Sequence, residues 1–368
     1  MLKLSPFSDP LENWPNADLL LGDEARAEFD RARPGLLHVL YWKELCKAFT
    51  DHDEAASKGK KWNHLQGFAS VVLSGLGVIL LGIIPVLPVA WSGCVIRIAL
   101  LSMFVGGALG VLLWGVLRSR GHWLAHRFWT ERLRQLHFQS LANNVELVAR
   151  AVTDKEALAD LVRLRGIWLS DLYFGSKDPR DYISEIREDR TEEQTWIRPE
   201  WDAGAAAPAA SADVARILDA LGLLRIGIQK IYAGKNLGPS IYEPRIRSIV
   251  LKIIVNLCFF LVAVSAGAGL LAAMRDSPVW LDAASWTIMA GVISAIGLIA
   301  QSINQGLQND AELDRYEWYA EKIEQIKHTF DHAPDNQTKV DELRRLEEAS
   351  YRELRMFLRA HSTARFTG

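Results

Sequence analysis

Cysteine is scarce in this sequence: Cys46, Cys94 and Cys258 are the only three in 368 residues, and no CxxC pair occurs. That excludes a disulfide framework and gives no thiolate pair for a zinc or redox site. Charge of one sign is not in excess either. A formal net charge of −2 argues against a strongly basic nucleic-acid binder, so no nucleic-acid partner is expected. The GxxxxGK[ST] phosphate loop, the GxSxG nucleophile elbow and HExxH are all missing, so neither enzymatic activity nor a cofactor is expected. Apolar residues, by contrast, are plentiful. They make up 49% of the chain, which excludes disorder.

Charge is missing most clearly from two stretches. Between Gly67 and Leu117 only Arg97 is charged, and a second apolar block runs from Ile249 to Ile303. Crossing roughly 30 Å of hydrocarbon takes about 20 apolar residues in a helix. Each block is long enough to cross twice. The first turns at Pro85, Pro88, Ser92 and Gly93, the second around Arg275, Asp276, Pro278 and Asp282. The pattern predicts an all-α polytopic membrane protein with four transmembrane helices, at 66–88, 94–117, 249–273 and 284–304. A cleaved signal peptide is not expected, because a charged, Trp-containing segment precedes the first apolar block.

Lys58, Lys60, Lys61, Arg118, Arg120, Arg127, Arg245, Arg247 and Lys252 flank the outer ends of the hairpins, while the turns offer little beyond Arg275. Positive residues stay inside. Both termini and the middle segment are therefore expected in the cytoplasm. The resulting domains are 1–65, 66–117, 118–248 with a Pro-, acid- and Ala-rich linker at 175–211, 249–304, and a C-terminal αα-hairpin at 305–368.

The two hairpins read as a duplication. Trp129-Thr-Glu-Arg-Leu-Arg-Gln-Leu matches Tyr319-Ala-Glu-Lys-Ile-Glu-Gln-Ile at an offset of 190 residues, and the same offset carries 94–117 onto 284–307. Lead-in helices are expected at about 36–58 and 211–233.

Within the apolar helices, small residues recur at packing spacing: Gly106 with Gly110, Ser265 with Gly269, and Gly291 with Ala295. Such pairs let helices approach closely. Amides are the other feature. Asn256 lies inside the third helix, and Gln301, Asn304 and Gln305 cluster at the inner end of the fourth. A buried amide in lipid must be paired or face water, so these residues fit a pore mouth and equally fit interfacial solvation. His122, His126 and His137 fit interfacial anchors better than metal ligands, and no metal is expected.

The aromatic–x–Glu–Arg/Lys–Leu/Ile signature after each hairpin, carried by Trp129, Glu131, Arg132, Leu133 and Arg134 and by Tyr319, Glu321, Lys322 and Ile323, resembles the SLATT domains. These are two-transmembrane effector modules associated with nucleotide-synthesising (SMODS) or nucleotide-sensing (SLOG) domains in bacterial conflict systems. This chain departs from the family pattern by carrying two hairpins and no attached sensor or synthase. The resemblance implies an inner-membrane effector in bacterial defence that oligomerises and forms a pore or disturbs the bilayer. Its trigger would be a nucleotide second messenger or a cytoplasmic partner protein. The alternative is a non-conducting anchor that recruits cytoplasmic partners.

Overall fold

Strong helix formers fill most of the chain between its Pro- and Gly-marked breaks. In the computed structural model, which describes residues 16–112, 119–175, 178–187, 195–204, 208, 211–238, 244–274 and 283–364, no strand occurs among the described residues. The protein is all-α. Its helices are α1 (Asp23–Ala32), α2 (Leu37–Leu40), α3 (Lys43–Ile83), α4 (Val89–Val111), α5 (Ser119–Asn143), α6 (Val145–Ala151) and α7 (Lys155–Gly175), then α8 (Pro179–Arg187), α9 (Ala212–Leu221), α10 (Ile228–Asn236), α11 (Pro244–Met274), α12 (Ala283–Leu307), α13 (Asn309–Asp331) and α14 (Asn336–Thr363). Four segments are long and apolar enough to cross a membrane: Lys43–Val86, Val89–Val111, Pro244–Leu271 and Ala284–Asp331.

The chain forms two compact units. The first draws on Met1–Ala56, Leu124–Gly238 and Asp314–Arg359; the second on Ser57–Trp123, Pro239–Leu313 and Ala360–Gly368. In the first, polar unit, α5 is the central helix. Every residue from Arg132 to Ala142 is buried, and Leu133, Leu136 and Leu141 join a core with Phe29, Phe49 and Ile323. The αα-hairpin of α13 and α14 closes through Asp335, whose carboxylate accepts from the Thr338 amide at 2.7 Å. That bond satisfies an otherwise orphaned N–H at the helix start.

Several boundaries differ from those read off the sequence. The lead-in helix at 36–58 and the first apolar helix are one continuous α3 after a break at Tyr41 and Trp42. A single Gly59 does not interrupt it, and a Cβ there would lie 2.6 Å from Trp123 Cβ, so the glycine serves close packing. The first hairpin turns before Ser92 and Gly93. Pro88 sits at the N-cap of α4, where the missing N–H costs nothing, and Ser92 donates back to the Val89 carbonyl at 2.8 Å. The second lead-in helix begins as expected, with Ser211 Oγ accepting from the Val214 amide, but a π-helical turn at Gly222–Gly227 separates α9 from α10.

Inside 175–211, where composition marks a linker, α8 buries Tyr182, Ile183 and Ile186, and Trp201 packs edge-on against Trp168 with centroids 5.5 Å apart. Their apolar spacing outweighs the acidic composition around them. The end of the expected 94–117 helix and the turn residues Arg118, Arg275, Asp276, Pro278 and Asp282 lie outside the described residues.

Candidate functional site: a buried charge network and the faces of the apolar helices

Burying α5 on all sides forces its polar residues to find partners, because an unpaired buried charge is costly. Arg134 donates to both Glu131 oxygens at 2.9 and 3.0 Å and to Asn16 Oδ1 at 2.7 Å. Its Nε lies 2.9 Å from Asp18 Oδ2. Arg127 closes the other side of Glu131 at 2.6 Å. The π-turn places Arg225, which is 1% exposed, beside Asp18 at 3.9 Å. Arg225 also donates to Glu347 at 2.6 Å and to Ser350 at 3.1 Å. Gln229 then links Asp18 to the Tyr319 hydroxyl.

Burial alone would raise the Glu131 carboxyl, but Arg127, Arg134 and Arg225 hold it down at about 2. Glu347 goes the other way: its burial outweighs the attraction of Arg225 and lifts its carboxyl. His137 is kept neutral by burial, helped by Arg165 and Arg225 nearby. The network therefore gathers charged and polar groups in a low-dielectric setting from five separate stretches of sequence.

Two of the repeat-motif residues meet here. Glu131 and Tyr319 are connected through Arg134, Asp18 and Gln229. The rest disperse. Trp129 stacks near Tyr173 and His52. Arg132 donates to Gln135 and to the Thr195 carbonyl. Glu321 is exposed and accepts only from Gln325 at 3.0 Å among its described hydrogen bonds. Lys322 borders an open cavity of about 630 Å³, together with Trp196, Trp318, Glu342, Arg345 and Arg352. His126 pairs with His52 across 2.9 Å, while His137 packs against Phe138.

Asp18, Arg225 and Glu347 escaped sequence reasoning. The only local sign of them is Arg225 itself, a lone charge in the apolar run Leu223-Leu224-Arg225-Ile226.

In the second unit, the small residues of the first hairpin pack within the chain. A Cβ on Gly106 would lie 2.6 Å from the Ser74 amide nitrogen and 2.9 Å from the Ser70 carbonyl. Ser70 donates to the Gly106 carbonyl at 2.8 Å, and Gly110 faces the same serine. Ser265 and Ala295 are buried and Gly269 is half-buried. Gly291 is different. A Cβ there would meet nothing within 4 Å, so it is not a packing glycine among the described residues.

The amides separate too. Asn304 accepts from Asn309 at 3.0 Å and supports the joint where Gln308 takes a left-handed φ of 54°. Asn304 is thus part of a helix junction. Asn256, Gln301 and Gln305 are exposed, and none has a side-chain hydrogen bond among the described residues. They face outward from a single copy.

No protein-family model, no curated protein and no solved structure matches the chain.

Proposed function

We propose that the protein is an integral membrane effector whose copies associate and open or disrupt the bilayer when a signal reaches its polar helical unit. Its setting on this reading is the bacterial inner membrane, with both termini cytoplasmic and a role in defence, as the SLATT resemblance implies. One observation carries it: Gln301 and Gln305 present amides on the outer face of a membrane-length helix, with no side-chain hydrogen bond among the described residues. Lipid cannot satisfy them, so another copy or water must. The cavity beside Lys322, Arg345 and Arg352 gives a soluble nucleotide messenger room to bind, and a partner protein could act on the same helices.

Reconstituting the full chain in dye-loaded vesicles at increasing density tests this. Dye release should rise more steeply than linearly with protein density. No release at any density, together with no oligomer on amine cross-linking, would overturn it.

A second reading, a non-conducting scaffold, draws on the tight interior of the apolar unit. Besides Gly106, Gly75 admits Ile299 and Gly77 admits Met103 with no room for a Cβ. A stable complex with a cytoplasmic partner, formed by a chain that leaves vesicles sealed, would favour that reading.

A further inference from the structure

The exposed faces of α11 and α12 have opposite chemistry although the two helices form one hairpin. Along α11 most outward side chains are large and apolar: Ile253, Leu257, Phe259, Phe260, Val264 and Leu270 are each 48–67% exposed, and Asn256 is the one exposed amide among them. That is the surface hydrocarbon demands. Along α12 only Ile296 and Leu298 are large apolar residues standing exposed among those described.

Its outward stripe instead reads Thr287, Gly291, Ser294, Leu298, Gln301 and Gln305, spaced alternately by three and four residues. That spacing keeps one line on a helix. Ser294 is half-buried, with its hydroxyl returned to the Ala290 carbonyl at 2.8 Å; the others are exposed. No residue of the stripe is charged. From Thr287 to Gln305 it runs about 27 Å at 1.5 Å per residue, close to the thickness of a hydrocarbon core.

The duplication supplies an internal control. At the offset of 190 residues, Gly291, Ser294 and Gln301 correspond to Leu101, Phe104 and Val111 of α4. All three are exposed, at 63%, 74% and 66%. At these three positions the first hairpin carries a lipid-type surface where the second has glycine, serine and an amide, while Thr287 corresponds to the exposed Arg97. General small-residue packing does not account for this difference, since a Cβ on Gly291 would meet nothing within 4 Å among the described residues.

We infer that this stripe of α12 lines a water-filled conduit formed between copies of the chain, with Leu298 as its apolar constriction. The inference rests on the effector reading above and names the surface through which it acts. Several copies turn their α12 stripes toward a shared axis while α11 and α4 face lipid. Gly291 and Ser294 leave room for water at mid-depth, and Gln301 and Gln305 replace part of an ion's hydration at one end. A ring of Leu298 closes the path by dewetting, as hydrophobic constrictions do. Without charge on the stripe, the path passes small inorganic ions of either sign with weak selectivity.

The test uses the full chain in vesicles and needs no trigger. Leu298→Ser should raise ion leak about tenfold over wild type, whereas Phe260→Ser on α11 should not. In a full-length background carrying Cys46→Ala, Cys94→Ala and Cys258→Ala, cysteines replacing Gly291, Ser294 and Gln301 should react with a membrane-impermeant thiol reagent. They should do so about tenfold faster than those replacing Phe260 or Val264, because a thiol in lipid does not ionise.

Equal labelling on the two helices, or labelling on neither, overturns the conduit. Interchain cross-linking of the stripe without labelling shows a dry seam and overturns it too. If wild type releases dye with density while Leu298→Ser adds nothing and the stripe stays unlabelled, the conduit falls and the effector reading stands. If amine cross-linking finds no oligomer and wild type never leaks, both fall.

Discussion

Helices α5 and α13 carry the same eight-residue motif in two different surroundings. Leu133 and Ile323 are both fully buried, and Leu136 and Ile326 are buried alike. The polar positions part company. Gln135 is buried and Gln325 exposed; Arg134 is buried among acids and its counterpart Glu324 reaches a solvent-facing Lys230 at 2.5 Å. The apolar half of the repeat thus fixes how each helix packs. The polar half answers to whether the helix is surrounded. A central helix converts surface charge into a network, and a peripheral one leaves it in water.

Removing a charge should break this symmetry most strongly. Arg134→Met leaves Glu131 with Arg127 and Asp18 with only the more distant Arg225, and losing one partner of a buried pair costs about 3–5 kcal/mol. Glu324→Met, at the equivalent place, should cost no more than about 1 kcal/mol. Thermal or denaturant unfolding of both variants in detergent measures the gap, and equal losses would dissolve the distinction.

The apolar positions should behave as equals. Leu133→Ala and Ile323→Ala should each cost about 2–5 kcal/mol, the usual range for emptying such a site. A markedly smaller loss at Ile323 would show that α13 is less firmly packed than its burial indicates.

The hairpins offer a smaller contrast. Gly106→Ala pushes a methyl into the backbone of α3 and should cost about 1–3 kcal/mol, while Gly291→Ala should be neutral or stabilise by up to about 1 kcal/mol. Melting temperatures of the two variants distinguish them.

Acid gives the finest comparison. With its carboxyl held at about 2 against an ordinary 4.5, Glu131 contributes stability that is whole above about pH 4.5. That contribution drains away as pH falls toward about 2. The penalty of Glu131→Gln should therefore shrink on acidification from about pH 5 to 3. A penalty at Glu131 that does not change with pH would mean its ion pairs contribute nothing to the fold.

What the sequence made legible follows the range of the forces involved. The four apolar helices were plain, because charge is confined to Arg97 in the first block and to Lys252 and the turn residues Arg275, Asp276 and Asp282 in the second. The fusion of 36–58 with the first of them was not, since nothing local distinguishes one lysine-rich helix from a join between two. The network was hidden because Asp18, Arg134, Arg225 and Glu347 meet only after folding, and no periodicity links them. The amides were found as a cluster but not sorted. Asn304 turns toward Asn309 while Gln301 and Gln305 do not, and that depends on the break at Gln308 just beyond. Gly291 looked like Gly106 by spacing alone. Only the surroundings separate a packing glycine from an open one.

The π-turn at Gly222–Gly227 also makes the chain unusually sensitive to length at one point. A π-turn holds one residue more than the α-helix it interrupts. Deleting a single residue there would restore regular helical bonding, and so would look locally favourable. Yet everything beyond it would rotate by about 100°, the angle of one residue in an α-helix. Gln229 would swing away from Asp18 and Tyr232 from Tyr316, which it now meets at 3.2 Å. A one-residue deletion that improves the helix would thus dismantle the junction around it.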